Sequence, residues 1–193
     1  MQRDRPEIYF ATSNVNKFLE AQSILAEYGL QLVQADHKRF EIQSDSIEEV
    51  ARESARSAAC KAGVATLVED AGLFVDALRG FPGPYSSFVH ATLGCDGILK
   101  LLNGISDRKA RFVSAVAFCE PDSQPKCFSG VVEGAIVTEA RGMFGFGFDP
   151  IFVADGAGDR TFGEMQTNEK NRYSHRAKAF REFARWFVGT IKP

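Results

Sequence analysis

The chain has 193 residues and 45% hydrophobic content, enough to bury a substantial core as one domain or two lobes. Its 23 basic and 25 acidic residues leave a formal net charge of −2, so no long-range field recruits nucleic acid or an anionic membrane. The apolar runs fall short of a membrane span, the start Met1–Glu7 is too polar for a signal peptide, and four cysteines without CxxC or paired-histidine spacing suggest reduced thiols in a cytoplasm, not a structural zinc.

Glu7–Ala11 reads as a short strand, and Thr12-Ser13-Asn14 follows as a cluster of capping residues. A helix is predicted from about Val15 to Tyr28, with Phe18, Leu19, Ala21, Ile24, Leu25 and Tyr28 buried and Gly29 as the stop. A strand, polar turn and helix in this order aims backbone N–H groups and the positive dipole end at the strand's C-terminal edge, where phosphates bind. Lys17 in the first turn opposes the dipole but suits a phosphate; ordinary capping with a surface lysine is the alternative. No glycines precede Lys17, which excludes a Walker loop.

Leu30–Gln34 and Phe40–Gln43 read as the next two strands, with Glu41 as a loop acid before the following helix. That helix starts at Asp45 or Ser46, with Ser46 and Glu49 spaced as a capping box, buries Ile47, Val50, Ala51, Ser54, Ala55, Ala58 and Ala62, and ends at Gly63. Val64–Val68 is predicted as a strand that ends in Glu69-Asp70, followed by Ala71-Gly72. Adjacent carboxylates at a strand end are either a solvated turn or a cation site. Leu73–Leu78 reads as a further strand, Gly80–Pro84 as a rigid turn leading into Tyr85–Leu93, and Asp96–Leu102 as a short helix.

Arg111–Cys119 and Lys126–Val137 alternate as two strands joined through Pro121–Pro125, supplying sheet and a possible dimer surface instead of chemistry. Gly142–Pro150 places three glycines and three phenylalanines together. Phe144, Phe146 and Phe148 fit one face of a strand, while the glycines mark close approach and make a slot in which a flat heterocycle can stack. Ile151–Val153 continues as strand and Asp155–Asp159 as loop. Ser174 caps a last helix with Ala177, Phe180, Phe183, Ala184 and Phe187 on one face. Lys170, His175 and Arg176 stand at its start, and the His175-Arg176 pair in its first turn is at the wrong end for the dipole, which suggests a function for the pair. Strands and helices alternate early and strands dominate later, which predicts an α/β fold with a mixed sheet. Seventeen Phe against one Trp has no cause legible in this pattern.

Five stretches then occur in one order: Ala11–Lys17, Val68–Asp70, Gly80–Tyr85, Phe146–Pro150 and Ser174–Arg176. With them the chain resembles the inosine triphosphate pyrophosphatase family from about Ile8 to Val188. The resemblance implies one family domain over residues 1–193: an α/β fold with a long mixed sheet and flanking helices forming two lobes around an active-site cleft, as a homodimer. It implies hydrolysis of ITP, dITP and XTP, purine nucleoside triphosphates, to the monophosphate and pyrophosphate. It also assigns Thr12, Ser13, Asn14, Val15, Asn16 and Lys17 to the triphosphate, and Glu41 and Asp70 to Mg2+, with Asp70 as proton acceptor. Ala71 stands where the family often has a serine. Phe146, Gly147, Phe148 and Asp149 would meet base and sugar, and Lys170, His175 and Arg176 would complete the pocket. The family's phosphate-contacting helix lysine is absent, its stretch reading Arg52-Glu53-Ser54-Ala55-Arg56.

The reaction expected is attack of water on the α-phosphorus, with Mg2+ neutralising the charge that develops. A carboxylate on Mg2+ is a weakened base, which keeps Glu69 as an alternative to Asp70. A donor to the purine 6-oxo group, from Arg176 or a backbone amide, would reject adenine. A septum-inhibitor-like pyrophosphatase acting on other nucleotides and a non-catalytic nucleotide sensor are the rival readings.

Overall fold

Three parallel strands open the chain. A computed structural model describes residues 7–191, and the polar start Met1–Pro6 lies outside the described residues. Glu7–Ala11 (β1) pairs in parallel with Gln31–Ala35 (β2) on one side and with Thr66–Val75 (β3) on the other. The crossovers are the helices Val15–Ala26 (α1) and Ile47–Ala62 (α2). Ser46 caps α2 by accepting the Glu49 N–H at 3.2 Å, and Gly63 ends it at φ 67°, a left-handed conformation suited to glycine. The capping box is only half formed: Glu49 accepts from the Ser44 hydroxyl instead.

Pro82–Gly83 (β4) pairs antiparallel with β3, and the helices Ser86–Thr92 (α3) and Gly94–Leu101 (α4) follow. Lys109–Cys119 (β5), Lys126–Ile136 (β6) and Phe152–Ala154 (β7) complete a seven-stranded open sheet of order β2-β1-β3-β5-β6-β7, with β4 on β3. Thr167–Lys170 (α5) and His175–Ile191 (α6) close the chain. This is the mixed α/β sheet with flanking helices that the element pattern predicts. No helix among the described residues is long and apolar enough to cross a membrane.

The chain divides into two compact units. The first takes residues up to Asp70, Ser114–Gly130 and from Arg176 onward; the second takes Ala71–Val113 and Val131–His175. The first unit's core packs Phe10, Ile24, Leu25, Leu67 and Val116 with Phe180 and Phe183 of α6. Around Trp186 gather Phe118, Phe128, Phe183 and Phe187, with ring centroids 5.3–6.3 Å apart. In the second unit's core Phe112 stacks against Phe162 and His175 and meets Phe152 edge to face. Many of the chain's phenylalanines therefore serve two aromatic cores, where rings meeting edge to face add to apolar burial.

Four local expectations are corrected. Val64–Val68 and Leu73–Leu78 are not two strands: β3 runs unbroken through Glu69-Asp70-Ala71-Gly72 to Val75, and residues 76–78 form a 3-10 turn. Phe40–Gln43 is not a strand. Its backbone is tied to α2 instead, Phe40 N–H donating to Ser57 Oγ and Ser54 Oγ donating to the Phe40 carbonyl. Gly142–Pro150 is a run of turns with Gly142, Gly145 and Gly147 at positive φ, so its phenylalanines do not share a face: Phe144 is exposed and Phe148 buried. On α1, Leu19 is exposed and Glu20 is buried in its place.

Gly134 in β6 lies opposite Ala154 of β7, where a Cβ would come 2.1 Å from the Val153 carbonyl oxygen and 2.8 Å from the Phe152 ring. Gly134→Ala should therefore lose about 1–3 kcal/mol of stability through overpacking, seen as a lower urea midpoint. Gly189→Ala, on an exposed turn of α6 with open space, should be neutral or slightly stabilising. Equal midpoints for the two variants would contradict the β6–β7 register.

Candidate active site

The first unit presents the end of β1. Past Ala11, Thr12 is buried and its Oγ1 accepts the Asn14 N–H at 3.1 Å. Asn14 is the N-cap of α1, its Oδ1 accepting from the Lys17 N–H at 3.1 Å. Ser13, Val15 and Asn16 are exposed, and Lys17 is half-buried. Phe10 pairs with Leu67 in the β1–β3 register, so Glu69 lies two positions further along β3, just past the end of β1. The carboxylate pair does stand at a C-terminal strand end, but the end is that of β1.

Strand alternation then separates the two acids. Glu69 is buried: Ser114 Oγ donates to its Oε1 at 2.7 Å, and Arg176 reaches the same oxygen through Nε at 3.1 Å and Nη2 at 3.0 Å. Its Oε2 faces the Lys17 ammonium at 2.8 Å. Arg176, itself 2% exposed, also donates through Nη1 to Glu20 Oε2 at 2.7 Å. Burial is the largest influence on Glu69 and raises its pKa. The charges of Arg176 and Lys17, with polar contacts from Lys17 and Ser114, outweigh it and hold the carboxyl well below its ordinary value near 4.5. A carboxylate so held is a poor proton acceptor, which removes the reason for treating Glu69 as the base. Arg176, committed to two carboxylates, is likewise poorly placed to read a purine.

Asp70 is half-buried on the other face of β3, and Ala71 after it carries no hydroxyl. Glu41 lies on the irregular stretch before α2 with its side chain 58% exposed, held by Arg39. Among the described residues no group of three or more His, Cys, Asp or Glu forms a metal cage. Exposed hard-oxygen donors of this kind fit Mg2+, which keeps several waters and takes one or two carboxylates with substrate phosphate, better than they fit a closed structural site. Neither α2 arginine offers itself to phosphate here: Arg52 donates to the Pro125 carbonyl and Arg56 pairs with Glu53.

The second unit holds the remaining predicted residues. Asp149 is buried, its Oδ2 accepting the Phe146 N–H at 2.9 Å and the Lys170 ammonium at 2.5 Å. Lys170 Nζ lies 4.9 Å from the centre of the Phe146 ring and 5.5 Å from that of Phe162. A Cβ on Gly145 would fall 2.2 Å from the same Asp149 oxygen, so the turn closes over the carboxylate only because that residue is glycine. Half-buried Gly147 offers its carbonyl to the Cys95 thiol, and buried Phe148 meets His90 edge to face. His175 is buried and stacks on Phe112 with ring centroids 4.6 Å apart.

Sequence reading missed Glu20, Ser114 and Arg39. A signal for Glu20 existed, because the stripe Ala21, Ile24, Leu25 continues through position 20 and not 19. Ser114 is one polar residue in an apolar strand, and Arg39 carried no motif.

A capped helix N-terminus opening at the C-terminal end of a parallel strand, with an ammonium group beside it, is how α/β proteins meet phosphate groups. The chain is of that class. More narrowly, it belongs to the Ham1 family, whose model matches residues 8–186. A relative from Methanopyrus kandleri named dITP/XTP pyrophosphatase is 48% identical over 96% of this chain and 98% of its own length. One of the same name from Methanothermobacter marburgensis is 50% identical over 94% and 96%. The structure of a HAM1 protein from Coxiella burnetii superposes with a TM-score of 0.83 at 32% identity, covering 95% of this chain and 98% of that one.

Glu69→Gln should cost about 3–5 kcal/mol at neutral pH, since it leaves buried cations underpaired. A depressed carboxyl pKa contributes stability that is complete above the unfolded value and is lost as pH falls through the folded one. The gap between wild type and Glu69→Gln should accordingly be constant above about pH 5 and narrow in acid. Urea titrations at pH 7, 5 and 3.5 test this, and a gap that widens in acid would contradict the ion-paired state.

Proposed function

We propose that the protein hydrolyses deaminated purine nucleoside triphosphates (ITP, dITP and XTP) to the monophosphate and pyrophosphate, with Mg2+ as cofactor. The observation that carries this reading is the near-full-length identity of 48–50% to relatives named dITP/XTP pyrophosphatase. In the first unit, the turn from Thr12 to Asn16 binds phosphate oxygens through the backbone N–H groups of Ser13, Val15 and Asn16, those of Thr12 and Asn14 being engaged with the Phe10 carbonyl and the Thr12 hydroxyl, and Lys17 adds an ammonium whose position Glu69 fixes. Glu41 and Asp70 hold the metal. Bound Mg2+ supplies charge neutralisation on the phosphate oxygens as pyrophosphate leaves. Asp70 orients the attacking water and takes its proton at a carboxylate oxygen, a role open to it because Glu69 carries the structural pairing.

In the second unit, Phe146 offers an aromatic face for the base, with the Asp149–Lys170 pair holding the loop that carries it. Since Arg176 is committed to Glu69 and Glu20, the donor to the purine 6-oxo group falls to a backbone amide. An amide N–H accepts no proton from adenine's 6-amino group, which makes a polar mismatch. A cytoplasmic homodimer belongs to the same reading. Its support is four free cysteines and the exposed apolar side chains of Phe81, Tyr85 and Phe88.

Pyrophosphate release from ITP, XTP, ATP, GTP and dTTP with saturating Mg2+, and with an EDTA control, tests the reading. ITP and XTP should turn over fast and ATP and GTP slowly. Asp70→Asn should lower kcat at least ~100-fold while ITP still binds. Tight ITP binding by the wild type without turnover would make the protein a nucleotide sensor, and preference for dTTP would point to the septum-type enzyme.

A further inference from the structure

Arg39 holds the carboxylate assigned to the metal. Its Nε and Nη2 both lie 2.8 Å from Glu41 Oε1, so one oxygen takes the whole edge of the guanidinium. Its Nη1 donates to the Ala11 carbonyl at 2.8 Å, at the last residue of β1 and immediately before the capping turn Thr12–Asn14. The side chain is 25% exposed and the Glu41 side chain 58%. One donor thus anchors the arginine to the sheet while its other edge faces a carboxylate in contact with solvent. Other arginines of the first unit have partners of their own: Arg52 the Pro125 carbonyl, Arg56 Glu53, and Arg176 the buried carboxylates.

We propose that Arg39 is a switching counter-ion of the metal site: it occupies Glu41 when no divalent cation is bound, and on metal loading it gives up the carboxylate and turns its freed edge to the substrate's polyphosphate. This rests on the assignment of Glu41 as a metal ligand. The physical basis is competition for charge. A guanidinium and a divalent cation drawn to one carboxylate repel each other and divide its negative charge, so each weakens the other's hold on Glu41. The Nη1 anchor keeps the released guanidinium at the mouth of the capping turn, where its planar fork suits two phosphate oxygens. A role confined to holding the loop would affect metal and polyphosphate binding in the same direction. The switch predicts opposite signs from one substitution.

The test measures Mn2+ binding to nucleotide-free protein, by calorimetry and by the spin-resonance signal of free Mn2+, and inorganic tripolyphosphate binding in saturating Mg2+. Arg39→Gln should bind Mn2+ about two- to fivefold more tightly, the worth of an exposed ion pair, and tripolyphosphate roughly tenfold more weakly, the worth of a charge-assisted hydrogen bond. In the Glu41→Gln background, Arg39→Gln should leave Mn2+ affinity unchanged. Loss of both affinities, or of neither, in Arg39→Gln overturns the switch. If Glu41→Gln alone leaves Mn2+ binding intact, the assignment of Glu41 to the metal has failed, an outcome distinct from a normal Glu41 effect with an inert Arg39.

Discussion

A carboxylate fully withdrawn from water costs several kcal/mol unless charges and hydrogen bonds replace its hydration. Glu69 is such a group, and much of the first unit is arranged to satisfy it. Ser114 comes from β5, Lys17 from the first turn of α1, and Arg176 from the first turn of α6, which Glu20 in turn steadies. Three elements remote in sequence are thereby held to one point on β3. Ion pairs of this kind add little stability compared with an apolar core of the same volume. What they add is position: removing any partner strands a charge, so the termini of α1 and α6 cannot drift from the strand.

The second unit meets a similar problem at Asp149 and Lys170. Both are buried and paired, and the Phe146 and Phe162 rings lie beside the ammonium. The backbone comes close enough to complete the arrangement only through Gly145, as the short approach to Asp149 shows. Likewise Gly142 would, with a Cβ, come 2.0 Å from the Gly163 carbonyl. The glycine-rich run is therefore written by packing against its own loop as much as by any ligand. Of the two readings offered by the sequence, core burial holds at Phe148, while Phe146 is half-buried beside a cation.

Elements with their own local signals were legible before the structure. α2 begins at its predicted cap Ser46 and ends at Gly63, and α6 buries Ala177, Phe180, Phe183 and Ala184 of its predicted stripe, with Phe187 half-buried. Misreadings fall where a distant partner overrides the local pattern. Glu69-Asp70-Ala71-Gly72 looks like a strand end, since two acids and a glycine seldom sit inside a sheet. β3 continues because Arg176, Lys17 and Ser114 neutralise the first acid and β4 pairs beyond the glycine. Phe40–Gln43 looks like a strand, but α2 serines take its backbone groups. The candidate site residues come from motif order, whereas their partners in space need the third dimension. Arg176 is the clearest case: its position at a helix N-terminus is unfavourable for the dipole, and two buried carboxylates offset the conflict.

That resolution bears on how phosphate charge is met. Glu20 and Glu69 against Arg176 and Lys17 make a cluster of two anions and two cations, so the Lys17 charge is already balanced inside the fold. Such a lysine offers a phosphate a fixed hydrogen-bond donor more than a surplus of positive charge. The several negative charges of a nucleoside triphosphate then have to be met by groups outside the cluster. The α1 N-terminus gives partial charge only. Under the proposed function a cation held by Glu41 and Asp70 would meet part of that charge, and Arg39, tethered to the last carbonyl of β1, would meet more of it once freed from Glu41. On the proposed reading a metal answers this need, because the cations that hold Glu69 are committed inside the fold.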